Sequence, residues 1–191
     1  VYKRQIKMYL RLSPDEESIK DIFVSFFDAE CSIERVRNAE ESGFDATAWE
    51  RIIETGGPGM CLPESCGGGG ADLTTAAIVA NLLGTYVAPI PFIEHVVAAR
   101  LLASLDESNA NLPLLATGEM IASLALQSLQ DSTSAIVPAG AVANYIIGLR
   151  GEEIVVAENT TGASPLRNTA NLPIARNNFD DAIVIASGEE A

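Results

Sequence analysis

The chain is poor in the residues that build ion and nucleic-acid sites. It has one histidine (His95), three cysteines, and 12 Lys plus Arg against 26 Asp plus Glu, a formal charge of -14 over 191 residues. A surface of that sign repels phosphate backbones and anionic headgroups at long range, which excludes nucleic acid and membrane surfaces as natural partners. No apolar run nears the ~20 residues that a bilayer crossing needs, and the N-terminus has no apolar stretch of the secretory type. No membrane insertion is expected, and the cytoplasm is the default compartment. Cys31, Cys61 and Cys66 form an odd set without regular spacing, which reads as reduced, buried or half-buried thiols rather than a disulfide framework. Cys61 and Cys66 lie close together, but a zinc site wants about four ligands and only His95 is left to join them, so no metal is expected.

What the chain does have is core. Almost half of it is hydrophobic, which argues against disorder and suits one ordinary domain or two small ones. It opens Val1-Tyr2-Lys3-Arg4-Gln5 with no Met. That pentapeptide resembles a translated sequencing adapter, so residues 1–7 are expected to be a non-native leader and Met8 the start.

Beyond it, Ser13-Pro14-Asp15-Glu16 reads as a helix N-cap, a proline at the first helical position and an acid closing a capping box. A helix from there puts Ile19, Ile22, Phe23, Phe26 and Phe27 on one core-facing stripe. Residues Ser32 to Ala39 form a short charged helix, and Asp45 or Thr47 caps another in which Trp49, Ile52 and Ile53 share a face until Gly56-Gly57-Pro58-Gly59 ends it. Asp72 and Thr74 start an apolar helix through Ile78, Val79, Leu82 and Leu83 that ends at Gly84. Pro89 and Pro91 punctuate the way into a helix from about Phe92 to Leu105, and Asp106 to Pro113 is a polar connection.

Near Thr117-Gly118-Glu119 the periodicity changes. Ile121 to Leu126, Ala135 to Val137, Tyr145 to Leu149, Ile154 to Ala157, Leu172 to Ala175 and Ala182 to Ile185 are short runs, rich in Ile and Val and bounded by Gly, Pro, Asn and Asp, which read as strands. The expected class is α+β: a helical domain over residues 8–117, then a small, mostly antiparallel β-domain over 118–191. The Gly67-Gly68-Gly69-Gly70 tract invites a phosphate-loop reading, but Ala71 and Asp72 stand where a P-loop needs Lys and Ser or Thr, and no strand precedes it. A dinucleotide fingerprint would need a βαβ unit. A turn is the better reading.

Leu62-Pro63-Glu64-Ser65-Cys66 followed by the glycine tract, and a helix ending Asn81-Leu82-Leu83-Gly84, resembles the Pro-Glu-Glu-Tyr-Gly-Gly turn and following helix of acyl-CoA dehydrogenases. Phe44 to Gly56, Pro89 to Leu102 and Leu114 to Leu126 are similar to further segments of that family in the same order, so the resemblance covers most of Met8 to Leu126. It implies an FAD-dependent oxidoreductase of lipid or steroid catabolism that takes an acyl-CoA substrate to the 2,3-enoyl-CoA. A carboxylate removes the α-proton and the flavin accepts the β-hydrogen as hydride. A homo- or hetero-oligomer is implied as well. By the same analogy, apolar residues of the Asp72 to Leu83 helix help wall the acyl tail, with core packing the plainer role for each.

Departures from the family pattern fall on the flavin contacts. Where the family writes Leu-Thr-Glu-Pro and then Gly-Ser-Asp, this chain has Leu126-Gln127-Ser128-Leu129-Gln130-Asp131, and its Trp-Ile-Thr-Asn-Gly becomes Ile136-Val137-Pro138-Ala139-Gly140. The resemblance thus places Gln127, Ser128, Val137 and Pro138 at cofactor-facing positions. Pro138 has neither hydroxyl nor N–H to offer. The family's base belongs to a C-terminal helical region not matched here, so no catalytic residue is assigned; Glu64, Glu94 and Glu119 read as solvated or capping acids. Three readings stay open: an incomplete, inactive piece of a dehydrogenase; a flavin-poor partner subunit of a heteromeric one; and a non-enzymatic protein-interaction module.

Overall fold

The computed structural model describes residues 11–129, 133–159 and 162–188. The expected leader Val1 to Lys7, the start at Met8, and Gln130-Asp131 lie outside the described residues. Helix α1 (Pro14–Glu30) begins as the sequence indicates. The Ser13 hydroxyl accepts from the Glu16 N–H at 3.2 Å, the Glu16 carboxylate accepts from the Ser13 N–H at 2.6 Å, and Pro14 occupies the first turn. Helix α2 (Ile33–Asn38) is capped by Ser32, and α3 (Ala46–Glu54) by Asp45, whose carboxylate accepts from the Ala48 N–H at 3.0 Å. The Arg35 guanidinium pairs with Glu30 and, at 3.0 Å, with Asp45, tying the end of α1 to the start of α3.

Helix α4 (Leu73–Tyr86) is capped by Asp72 and packs along α1, with Tyr86 stacked on Phe27 at 5.6 Å and its hydroxyl donating to Asp28 at 2.7 Å. It overruns the expected stop at Gly84 by two residues. A single helical glycine costs only ~1 kcal/mol, and the break comes at Val87, in the left-handed region at φ 52°, where the Ala88 N–H closes on the Leu83 carbonyl at 3.0 Å. Phe23, Phe26 and Phe27 are buried, but Ile22 is 55% exposed, against the five-residue stripe expected. Contact with one long neighbour buries a narrower face than the stripe, and Ile22 sits at its margin.

Helix α5 (Phe92–Leu105) holds the middle of the molecule, and the turn after it starts α6 (Leu112–Thr117), whose first two residues fall in the polar connection expected over Asp106 to Pro113. Pro113 lies in the first turn of α6, where a missing N–H costs nothing. Strands β1 (Ala122–Leu124), β3 (Tyr145–Arg150), β4 (Glu153–Glu158) and β6 (Ile183–Ser187) form a sheet in the order β1-β3-β4-β6, parallel between β1 and β3 and antiparallel elsewhere. β2 (Ser134–Val137) and β5 (Ala175–Asn178) make a separate antiparallel pair. The strand expected at Leu172 to Ala175 begins only at Ala175: Leu172 is 48% exposed and Pro173 has no N–H for a ladder. The class is α+β, with a mostly antiparallel β-part, as expected.

Ala98, Ala99 and Leu102 of α5 pack against Tyr145, Ile147 and Val156 of the sheet. Trp49 is buried, with its indole N–H donating to the Gly118 carbonyl at 3.0 Å. The glycine tract is a turn. Gly67 and Gly70 take φ 82° and 64°, and the N–H groups of Gly68, Gly69 and Gly70 go to the carbonyls of Pro63, Gly59 and Leu62, leaving no cradle for an anion. No helix among the described residues is long and apolar enough to cross a membrane.

Candidate functional site

The two segments that the resemblance aligns with flavin contacts meet at one end of the sheet. After β1 the chain stays laced to β3: the Ala125 N–H donates to Ile147 and the Leu129 N–H to Leu149, both at 2.8 Å. Between these bonds Leu126 stands 76% exposed, with Gln127 and Ser128 exposed beside it and Leu129 buried. The second segment ends β2. Ser123 of β1, fully buried, donates its hydroxyl to the Pro138 carbonyl, which joins the two segments.

Beyond Pro138 the chain turns through Ala139 (φ 54°), and asparagines hold the turn: Asn177 donates to Gly140 at 3.0 Å, Asn159 to Gly140 and Ala143, and Asn144 accepts from the Ile121 N–H at 2.9 Å. Asn144, with Ala143, matches a small-plus-polar pair of the family pattern, but nothing in the sequence points to Ser123, Asn159 or Asn177. Each works through a partner 15 or more residues away, which no local pattern displays.

These residues can be tested against the FAD that the resemblance implies. The Val137 side chain is fully buried, so it faces the core and not a ligand. Pro138 has no donor, and its carbonyl already accepts from Ser123. The Ser128 hydroxyl is turned to the Leu149 carbonyl at 3.4 Å. Gln127 alone presents an uncommitted polar group. The four positions therefore do not fit a flavin in the way the resemblance implies, because no free hydroxyl faces outward. The outward side of β2 is Ile136, 40% exposed.

Helix α5 contributes the other chemistry. His95 is fully buried, its Nδ1 accepting from the Ala122 N–H at 3.1 Å and its Nε2–H facing the Leu115 carbonyl at 3.0 Å. That pairing fixes the neutral ring with the proton on Nε2, and burial pushes its pKa down to about 4. It is a strut between α5, α6 and β1. Glu94, expected as a solvated acid, is half-buried, and desolvation raises its carboxyl above the usual range. Of the apolar residues of the Asp72 to Leu83 helix expected to wall an acyl tail, Val79 and Leu82 are buried beside α1 and Leu73 is 56% exposed, while Ile93 and Val97 of α5 are left 44% and 45% exposed one helical turn apart. The three thiols are free and buried, and burial raises the pKa of Cys31, to about 11, and that of Cys61, which makes those two poor nucleophiles.

Residues 13–119 match the acyl-CoA dehydrogenase N-terminal domain. The acyl-CoA dehydrogenase IpdE2 of Mycolicibacterium smegmatis is 30% identical over 100 residues, covering 51% of this chain and 32% of that protein. IpdE2 of Mycobacterium tuberculosis is 34% identical over 94 residues, 48% of this chain and 30% of that protein. The matches thus span about a third of the curated relatives' length. Among solved structures, the ChsE4-ChsE5 complex from Mycobacterium tuberculosis shares the fold at a TM-score of 0.78 and 19% identity, over 93% of this chain and 58% of that one.

Proposed function

The chain belongs to the acyl-CoA dehydrogenase family, and from that membership we propose that the whole protein serves α,β-dehydrogenation of an acyl-CoA thioester as the flavin-poor subunit of a heteromeric enzyme. The observation that carries this reading is the state of Val137 and Pro138: one side chain is sealed in the core, and the other residue's only polar group is taken by Ser123. A relative of the same fold is described as a two-component complex, ChsE4-ChsE5, which supports a partner subunit here. FAD is the group that the family implies, and no step through it is assigned to these residues. On this reading the chain contributes apolar wall, with Ile93 and Val97 of α5 taking the role first offered to α4.

Purification with excess FAD and a visible spectrum tests the proposal. The chain alone should elute colourless and should not reduce an electron acceptor with acyl-CoA. Pro138→Thr, which returns a hydroxyl and an N–H to the rim, should raise flavin retention above that of the wild type. Stoichiometric flavin in the wild-type chain, bleached by acyl-CoA, would overturn the flavin-poor assignment in favour of an ordinary FAD-dependent dehydrogenase.

A further inference from the structure

Along β3, β4 and β6 of the main sheet, a cavity of about 640 Å³ opens between the strand faces and the α5–α6 connection at Asn109 to Asn111. That volume lies within the ~300–1,000 Å³ of ordinary ligand clefts. Its apolar side is Val156 of β4 with Ile183 and Ile185, alternate residues on one face of β6. Tyr145 lines it too. This residue is only 4% exposed, and its hydroxyl has no hydrogen-bond partner among the described residues. Asn177 Oδ1 is the sole fully enclosed side-chain polar atom without a partner among them, so the Tyr145 hydroxyl keeps contact with open space, and the cavity is where that space lies. Glu158 and Asp181 line it as well, neither in an ion pair among the described residues, and none of the described lining residues is a lysine or arginine.

Among the described residues β6 ends the sheet, with β4 on one side and no strand on the other. Sheet edges are usually blunted by charge or proline. The sequence Ile183-Val184-Ile185-Ala186-Ser187 has neither, and Ile183 and Val184 are 66% and 43% exposed.

The geometry points to β6 and this cavity as a docking site for an extended, basic segment of a partner polypeptide. The segment adds a strand to β6 through its backbone. One of its lysines or arginines lays its aliphatic stem along Val156, Ile183 and Ile185 and brings its charge to Glu158 and Asp181, within reach of the Tyr145 hydroxyl. A second copy of this chain is the poorer occupant, because a chain of net charge -14 would bring the same carboxylates face to face. An anionic ligand such as a CoA phosphate is refused for the same reason.

The test uses the 191-residue chain and a fluorescein-labelled decapeptide alternating valine and lysine, read by anisotropy. Controls are the valine–glutamate counterpart and a valine–lysine peptide N-methylated at every residue, which keeps the charge and loses the donors. The unmodified basic peptide should bind at least tenfold more tightly than either control. Binding should weaken at least tenfold in Glu158→Gln/Asp181→Asn and several-fold in Tyr145→Phe, variants that keep side-chain volume and leave the core intact. Amide shifts should concentrate on β6. Equal binding of the N-methylated peptide, full competition by spermidine, insensitivity to the double variant, or a dimer of the chain that the peptide does not dissociate would each overturn the proposal. The result is independent of flavin content, since β6 lies across the sheet from the β1 rim.

Discussion

His95 should make the stability of this protein fall steeply in mild acid. The ring is fully buried, accepts from the Ala122 N–H at Nδ1 and is held neutral with a pKa of about 4, against the 6.5 of a free histidine. Because the folded value is the lower one, the unfolded chain binds the proton first. Stability is complete above pH 6.5, declines as pH falls between 6.5 and about 4, and levels below that. At about 1.4 kcal/mol per factor of ten, the gap is worth ~3 kcal/mol, a large share of the 5–15 kcal/mol typical of a domain. Glu94, whose carboxyl is raised, acts with the opposite sign, its contribution being lost as pH rises through its own value; Asp72 and Asp106, lowered by hydrogen bonds from Thr75 and Ser108 respectively, matter only below the histidine window.

Urea unfolding at pH 7, 6, 5 and 4 should show the midpoint falling. His95→Gln, which can keep one of the two hydrogen bonds, should be less stable at pH 7 and nearly flat across the window. A wild-type stability independent of pH from 7 to 4.5, or a His95 ring that titrates near 6.5 by NMR in the folded protein, would refute the buried-strut account.

Trp49→Ala should cost ~3–5 kcal/mol, the range for removing a large buried aromatic, and leaves the Gly118 carbonyl without its donor; unchanged unfolding in denaturant would show that the α3 face is misplaced. Gly43 and Gly56 form a matched pair for separating backbone strain from contact. Both have positive φ, 69° and 72°, but a Cβ on Gly43 would lie 2.2 Å from the Asn171 carbonyl oxygen, while one on Gly56 meets nothing within 4 Å. Gly56→Ala should therefore cost about 1 kcal/mol and Gly43→Ala clearly more, with hydrogen exchange rising around Asn171 to Pro173. Equal losses of thermal stability would mean that the 171–173 loop does not dock there.

The elements that could be read in the sequence are those whose signals lie within one turn of the chain. The Ser13-Pro14-Glu16 box is a local agreement of side chain with backbone and Pro91 is a local stop ahead of Phe92, so α1 and α5 begin where expected. Helix α6 was hidden because Pro113 carries two meanings, a break inside a helix and a fitting residue in its first turn, and only the buried Leu112 and Leu115 decide between them. Ile22 looked like core because helical spacing reports which residues share a face but not how wide a neighbour covers it. The strand at Ala175–Asn178 was placed three residues early because Leu172 and Ile174 supply hydrophobicity, whereas pairing with β2 selects Ala175 and Asn177 for the buried side.

The flavin rim shows the same limit at single-residue scale. Ile136 and Val137 are chemically near-equal neighbours, and a strand must turn one outward and the other inward; a slip of one residue would exchange them. Pairing of Ile136 with Arg176 and of Val137 with Ala175 sets the choice, and the buried Ser123 hydroxyl on the Pro138 carbonyl keeps it, since a slip would leave both groups unpaired in the interior. Of the four residues that the resemblance nominated as ligand contacts, Val137 is therefore inward and Ser128 and Pro138 are committed, which leaves exposed Gln127, with the exposed Leu126 and Ile136, as the outward surface of these segments. That surface is mostly apolar with one carboxamide, which suits burial against protein better than it suits the polar edge of a flavin.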